Sequence, residues 1–79
     1  MTDTSNQKPI RVLTAGIWGS YMSIPLSQLE QVRQLLREND ISHWVDHQAI
    51  SVNGRPAMIV INLSRKTDPV RVQELLDAV

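Results

Sequence analysis

The sequence predicts an α+β fold, and three observations in its last third carry most of that prediction. Asn53-Gly54 is a turn signal, because Asn and Gly accept the positive φ angles of a two-residue hairpin turn. Residues 57–63 are apolar on both faces apart from one asparagine, which is typical of a central strand. Asp68-Pro69 then opens a helix as N-cap and first helical residue. A hairpin, a central strand and a capped helix together favour a sheet with a helix packed on it.

Three elements are predicted before the hairpin. Residues 10–15 are rich in β-formers and alternate in character, so we expect the first strand there. Residues 16–25 contain two glycines, two serines and a proline with no sustained period, which indicates a loop. Residues 26–38 should be a helix, because their apolar residues recur at helical spacing. These residues are Leu29, Val32, Leu35 and Leu36.

The second half of the chain continues the alternation of strand and helix. Residues 41–46 alternate between apolar and polar and predict another strand. Residues 49–52 either continue that strand past a bulge at 46–48 or form a separate short strand. Pro56 should begin the strand 57–63, because proline cannot donate to a sheet ladder. The apolar stripe of the last helix is Val72, Leu75, Leu76 and Val79.

The element order is β-α-β-β-α, with the middle pair a hairpin. In a split β-α-β arrangement, the strand 10–15 would lie parallel to and beside the strand 57–63, and both helices would pack on one face. This resembles a ferredoxin-like two-layer sandwich with an antiparallel or mixed sheet that lacks its last strand. The resemblance implies no activity, because many unrelated functions share this architecture. Residues 10–79 should form one domain.

The first nine residues are polar and carry no apolar anchor between Met1 and Ile10. We therefore expect residues 1–9 to be a disordered, mobile tail. The alternative is a short arm that binds a partner.

Composition narrows the classes of function. The 79 residues include eight basic and eight acidic side chains, so the net charge of zero argues against a nucleic acid partner. The chain has no cysteine, which leaves self-association as the expected way to stabilise so small a domain. No apolar run is long enough to span a bilayer, and the polar N-terminus does not resemble a secretory signal. We expect a cytoplasmic protein with no membrane partner.

The strands predict an apolar patch on the side of the sheet that the helices leave open. The side chains expected to face the helices are Val12, Ile41, Val45, Ile59, Ile61 and Leu63. The opposite set is Leu13, Trp44, Met58 and Val60, with Arg11 and Asn62 at its margin. Such a patch marks an interface, and the edge strand 10–15 is also open to pairing. Trp18 and Tyr21, in the loop, form a second candidate contact.

These features predict a small non-enzymatic interaction or adaptor module that forms homo-oligomers or binds a larger protein. The alternative is that a one-residue slip near Asp46 exchanges the two faces, which would make Trp44 a core residue.

A second prediction concerns the loops 16–25 and 64–68, which would lie side by side at the carboxyl ends of parallel strands. Two helix N-termini would adjoin them and favour an anion. The candidate ligand-binding residues are Ser20, Ser23, Arg65, Lys66 and Thr67. The chain would then be a small regulatory domain that senses an anionic metabolite. Gly16 and Gly19 are too closely spaced for a phosphate-loop fingerprint.

Catalytic and metal chemistry lack the residues that they need. His43, Asp46 and His47 are close in sequence, but no third strong ligand accompanies the two histidines. No serine has a base or an elbow motif beside it, and most carboxylates fall on predicted helix faces or a cap. We therefore expect no enzyme, no cofactor and no metal.

Overall fold

A computed structural model describes residues 1–14, 16, 19–50 and 57–79, and of residues 47–50 it describes the backbone alone. These described residues form two helices, a two-stranded antiparallel sheet and a four-stranded antiparallel sheet. The predicted α+β class is therefore confirmed. The elements are β1 (Thr2–Asp3), β2 (Lys8–Pro9), β3 (Leu13–Thr14), β4 (Ser20–Pro25), α1 (Leu29–Glu38), β5 (His43–Ile50), β6 (Met58–Leu63) and α2 (Pro69–Asp77), with a 3-10 turn (Leu26–Gln28) before α1.

The four-stranded sheet has the order β3-β4-β6-β5, and each neighbouring pair is antiparallel. β6 is a central strand, as predicted. The prediction that the strand 10–15 lies parallel to and beside β6 is wrong, because β4 occupies that place and runs antiparallel. Only Leu13–Thr14 of that segment is a strand, and it lies at the edge of the sheet.

β4 is the main correction to the predicted order of elements, since its residues were expected to be a loop. It pairs with β6 over its full length, from Ser20 opposite Leu63 to Pro25 opposite Met58. The physical reason is the alternation of side chains along the strand, which buries Met22 and Ile24 on one side and leaves Tyr21 and Ser23 less buried on the other. That alternation outweighs the glycine, serine and proline signals around it.

β5 begins at His43, two residues after the predicted start, and runs to Ile50. Its pairing with β6 is irregular between Asp46 and Ile50. This agrees with one bulged strand, at least as far as Ile50. Residues 51–52, the Asn53-Gly54 turn and Pro56 lie outside the described residues.

The two helices occupy the predicted segments, except that α2 ends at Asp77 and leaves Val79, which was predicted to be buried, exposed. The first three residues of 26–38 form the 3-10 turn, and α1 follows directly. α2 starts at Pro69, and the Asp68 carboxylate caps it by accepting from the Val70 N–H at 2.9 Å. Within the described part of the chain, no helix is long and apolar enough to cross a membrane.

One core cluster combines the sheet with both helices, so the helices cover the same side of the sheet. Its buried members are Ile10, Met22, Ile24, Val32, Leu36, Ile41, Ile59, Ile61, Leu63, Val72 and Leu76. Val12 and Val45 pack against this cluster while partly buried. The set of side chains predicted to face the helices is therefore confirmed.

Residues 1–9 differ from the predicted mobile tail, because they form the β1–β2 hairpin. The side chain of Gln28, buried before α1, holds this hairpin to the domain. Its Oε1 accepts from the Thr4 N–H at 3.0 Å, and its Nε2 donates to the Thr2 carbonyl at 2.8 Å. The amino group of Met1 also donates to the Leu76 carbonyl. Order in this polar segment comes from contacts with residues far away in sequence.

Gln73 of α2 fixes the segment that leads into β3. Its Nε2 donates to the Ile10 carbonyl at 3.0 Å, and its Oε1 accepts from the Val12 N–H at 2.8 Å. Ile10 and Val12 pack inward, whereas Arg11 and Leu13 are exposed. This anchor sets which side chains of the edge segment reach the uncovered side of the sheet.

Candidate functional site

The side of the four-stranded sheet that neither described helix covers is the candidate site, and we call it the open face. Alternation along each strand places its residues opposite the core. They are Leu13, Tyr21, Ser23, Trp44, Asp46, Met58, Val60 and Asn62. Strand register arranges them in rows that run across the sheet.

The first row crosses all four strands. Leu13 lies opposite Tyr21, and Asn62 of β6 lies between Tyr21 and Trp44. Trp44 is 55% exposed and Leu13 is 47% exposed, whereas Tyr21 and Asn62 are half-buried. Two large apolar side chains therefore stand at the two ends of one row, each on an edge strand.

The second row carries charge at both ends. Val60 lies at its centre, opposite Ser23 on one side and Asp46 on the other. Arg11 lines a cavity of about 350 Å³ with Leu13 and Ser23, and with Asp3 and Lys8 of the β1–β2 hairpin, so it lies near the β3 end of this row. Arg11 and Asp46 are both exposed. The basic group is thus at one edge of the open face and the acidic group at the other.

The third row contains Met58, which is half-buried and lies opposite Pro25 and Ile50. The structure places Leu13, Trp44, Met58 and Val60, the residues predicted for this side, on one face.

The second predicted contact, formed by Trp18 and Tyr21, and the alternative position of Trp44 can also be compared with the structure. Tyr21 reaches the open face from strand β4 and not from a loop. Trp18 lies outside the described residues. The alternative that makes Trp44 a core residue does not hold, because its side chain is more than half exposed.

The predicted ligand-binding residues fall in two places. Arg65 and Lys66 are exposed in the turn after β6, and Thr67 beside them is half-buried. Ser20 is buried at the start of β4, next to that turn. Ser23 lies away from them, in the second row of the open face.

Gly19 shows how closely the chain before β4 approaches the turn after β6. Its φ is +95°, and a Cβ there would lie 3.0 Å from the Leu63 carbonyl oxygen and 3.3 Å from Cγ of Arg65. An open cavity of about 530 Å³ lies beside this turn and is lined by Trp44, Ser64, Arg65 and Lys66. Two cationic side chains therefore border the exposed tryptophan.

The prediction that both helix N-termini adjoin this place is wrong. The turn that precedes α1 starts beside Ala57, since the Leu26 N–H donates to the Ala57 carbonyl at 2.8 Å. α2 follows the other end of β6, and its first turn is already capped by Asp68. The two helices thus begin at opposite ends of β6, because β4 is antiparallel to that strand.

The structure describes one of the two histidine side chains, that of His43. His43 is half-buried, and its Nδ1 lies 2.9 Å from the Ile41 carbonyl oxygen. The side chain of His47 lies outside the described residues. In the part of the chain that is described, no group of three or more His, Cys, Asp or Glu residues could hold a metal ion.

Ser23 was predicted to belong to the ligand site, but it lies on the open face. The anchoring role of Gln73 was not predicted. The alternation of Met22 and Ile24 with Tyr21 and Ser23 could have revealed β4, and with it the position of Ser23. Gln73 had no local signal, because its partners lie more than 60 residues away in sequence.

The chain matches no protein family model, and neither a curated protein nor a solved structure is significantly similar to it.

Proposed function

We propose that this chain is a small non-enzymatic interaction module that binds protein through its open face. The observation that carries the proposal is the exposure of Trp44, at 55%, in a row that also holds Leu13 and Tyr21. Tryptophan and tyrosine are frequent anchors of protein interfaces. An antiparallel sheet that faces water normally carries polar residues at such positions.

Physical chemistry supports binding at this face. Covering the exposed part of a tryptophan side chain would contribute about 2 kcal/mol, at roughly 25 cal/mol per Å² of apolar surface. A domain of this size buries a smaller fraction of its surface when folded than a larger domain does, so it also gains stability from association. The apolar residues that remain outside the core are therefore suited to a partner.

Self-association is the form of the proposal that the purified chain can test, and sedimentation velocity over a wide range of concentrations measures it in a matched pair of variants. Trp44→Asp replaces the exposed tryptophan of the first row with a charged side chain and should abolish association. Val70→Asp is the control, because Val70 is 62% exposed on α2 and lies away from the open face. We expect the control to associate like the wild-type chain. A Trp44→Asp variant that associates as strongly as the wild type would contradict the proposal.

A second candidate function is the binding of an anionic metabolite beside the turn after β6. The observation that favours it is the cavity in which Arg65 and Lys66 border Trp44. Arg65→Ala and Lys66→Ala should weaken binding without destabilising the fold, because both side chains are exposed. Arg71→Ala, an exposed change on α2, is the control. A thermal-shift screen of nucleotides and small carboxylates in which no compound stabilises the wild-type chain would remove this candidate.

The fold itself supports a further part of the proposal, namely that the sheet is a permuted ferredoxin-like sheet. β4 and β5 are both antiparallel to β6 and flank it, and α1 joins them. β3 would then supply the edge strand that normally ends the chain. The amino group of Met1 donates to the Leu76 carbonyl, so the first residue lies close to the end of α2. A permuted chain in which a short linker joins Val79 to Met1, with new termini near residue 17, should therefore fold. Failure of that permuted chain to fold would contradict the assignment.

A further inference from the structure

We propose that the partner on the open face is a second copy of this chain, related by a two-fold axis that runs parallel to the strands. The inference rests on the proposed function, because it assumes that the open face binds protein. It adds the identity of the partner and the orientation in which the two copies meet.

The register of the strands makes the open face complementary to itself under this rotation. An axis parallel to the strands, placed between β4 and β6, exchanges the two ends of each row and keeps the rows in order. In the first row Leu13 then faces the partner's Trp44, and Trp44 faces the partner's Leu13. In the centre Tyr21 faces the partner's Asn62, whose amide can hydrogen bond with the tyrosine hydroxyl.

Charge complementarity is the argument for a second copy over an unrelated protein. In the second row the same rotation brings Arg11 over the partner's Asp46, and it does so twice in each dimer. Arg11 and Asp46 are exposed and lie at opposite edges of the open face. Asp46 also interacts within its own chain, but a carboxylate can accept more than one donor.

The other aligned packing of the two sheets lacks this complementarity. An axis perpendicular to the strands, in the plane of the interface and crossing the second row, would lay the β3 edge of one copy over the β3 edge of the other. Arg11 would then approach the partner's Arg11, and Asp46 would approach the partner's Asp46. Juxtaposed like charges disfavour an interface. Packed sheets prefer strand directions within about 30° of each other, so the axis parallel to the strands satisfies both conditions.

A pair of charge-reversal variants tests the orientation. Arg11→Asp alone creates two acid–acid contacts in its homodimer, and Asp46→Arg alone creates two base–base contacts. Mixed in equal amounts, they restore both opposite-charge contacts in the heterodimer. We expect each single variant to self-associate at least about tenfold more weakly than the wild type. The mixture, and the double variant alone, should return to within about threefold of the wild-type affinity.

Sedimentation equilibrium on each variant and on the mixture gives these affinities, and circular dichroism checks that each variant folds. Asp46→Asn serves as a second variant if Asp46→Arg does not fold. The Asp46→Asn homodimer should be weakened less than the Asp46→Arg homodimer. Asp46→Asn should also bind Arg11→Asp more strongly than Arg11→Asp binds a second copy of itself.

The possible failures are distinguishable. If Trp44→Asp abolishes the dimer but the mixture stays as weak as the single variants, this orientation is wrong and the proposed function stands. A wild-type chain that remains monomeric overturns the inference of a second copy. If the wild type dimerises and Trp44→Asp leaves the dimer intact, both the inference and the proposed function fail.

Discussion

The two sides of strand β6 are built from similar residues but lie in different surroundings. On the covered side Ile59, Ile61 and Leu63 are buried beneath the helices. On the open face Met58 and Val60 are only half-buried. The comparison shows that apolar character alone does not identify the core. On one side it stabilises the fold, and on the other it is available to a partner.

The edge segment before β3 connects the two sides. Its inward residues, Ile10 and Val12, belong to the covered side through their packing and through Gln73. Its outward residues, Arg11 and Leu13, belong to the open face. The covered side therefore holds part of the open face in position, whereas the open face contributes little to the core.

The largest expected effect is a difference in stability between variants of two neighbouring residues of β6 that lie on opposite sides of the sheet. Ile61→Ala should lower the free energy of unfolding by about 2 to 5 kcal/mol, because Ile61 is fully buried and the change leaves a cavity. Val60→Ala should lower it by about 1 kcal/mol or less and should instead weaken association. Urea denaturation, extrapolated to low protein concentration, measures the first effect. Equal losses of stability in the two variants would remove the distinction between the two sides.

The next effect tests the connection between the sides. Gln73→Ala should cost about 1 to 3 kcal/mol, because it removes the partners of the Ile10 carbonyl and the Val12 N–H. It should also weaken association, since Arg11 and Leu13 lose their fixed position. Glu74→Ala, at the exposed neighbouring position, is the control and should change neither quantity. Denaturation and sedimentation together measure both effects. A Gln73→Ala variant with lowered stability and unchanged association would show that the open face does not depend on this anchor.

The smallest effect should come from a change in helix α2, on the covered side of the sheet, that leaves the open face unchanged. Asp68→Ala removes the N-cap of α2 and should cost about 1 kcal/mol of stability. Asp68→Asn should retain most of that stability, because Asn caps helices about as well as Asp. Neither variant should change the association constant of the native protein. A large change in association with either one would mean that α2 contributes to the contact surface.

The sequence was a good guide wherever structure depends on local signals. Asp68-Pro69 combines a capping side chain with a proline suited to the first helical position, so α2 could be placed correctly. The helical spacing of apolar residues located α1 in the same way. β6 was identified as central because a strand that packs on both sides has little room for polar residues.

The errors arose where distant partners decide the structure. Residues 1–9 are polar, and their order depends on Gln28 and on the far end of α2 near Leu76. β4 was missed because glycine, serine and proline surround a short alternating segment. Without β4, the strand 10–15 was placed beside β6, and both helix N-termini were assigned to the same end of the sheet.

The central claim is that the open face, and not the helical surface, forms the contact between copies. The most direct measurement is a dilution series followed by two-dimensional NMR, with the Trp44 indole N–H assigned from a Trp44→Phe variant. We predict that dilution shifts the resonances of Trp44 and Leu13, while those of Gln31 on the exposed side of α1 stay fixed. Dilution that leaves Trp44 unchanged, or that shifts the helical residues instead, would contradict the account.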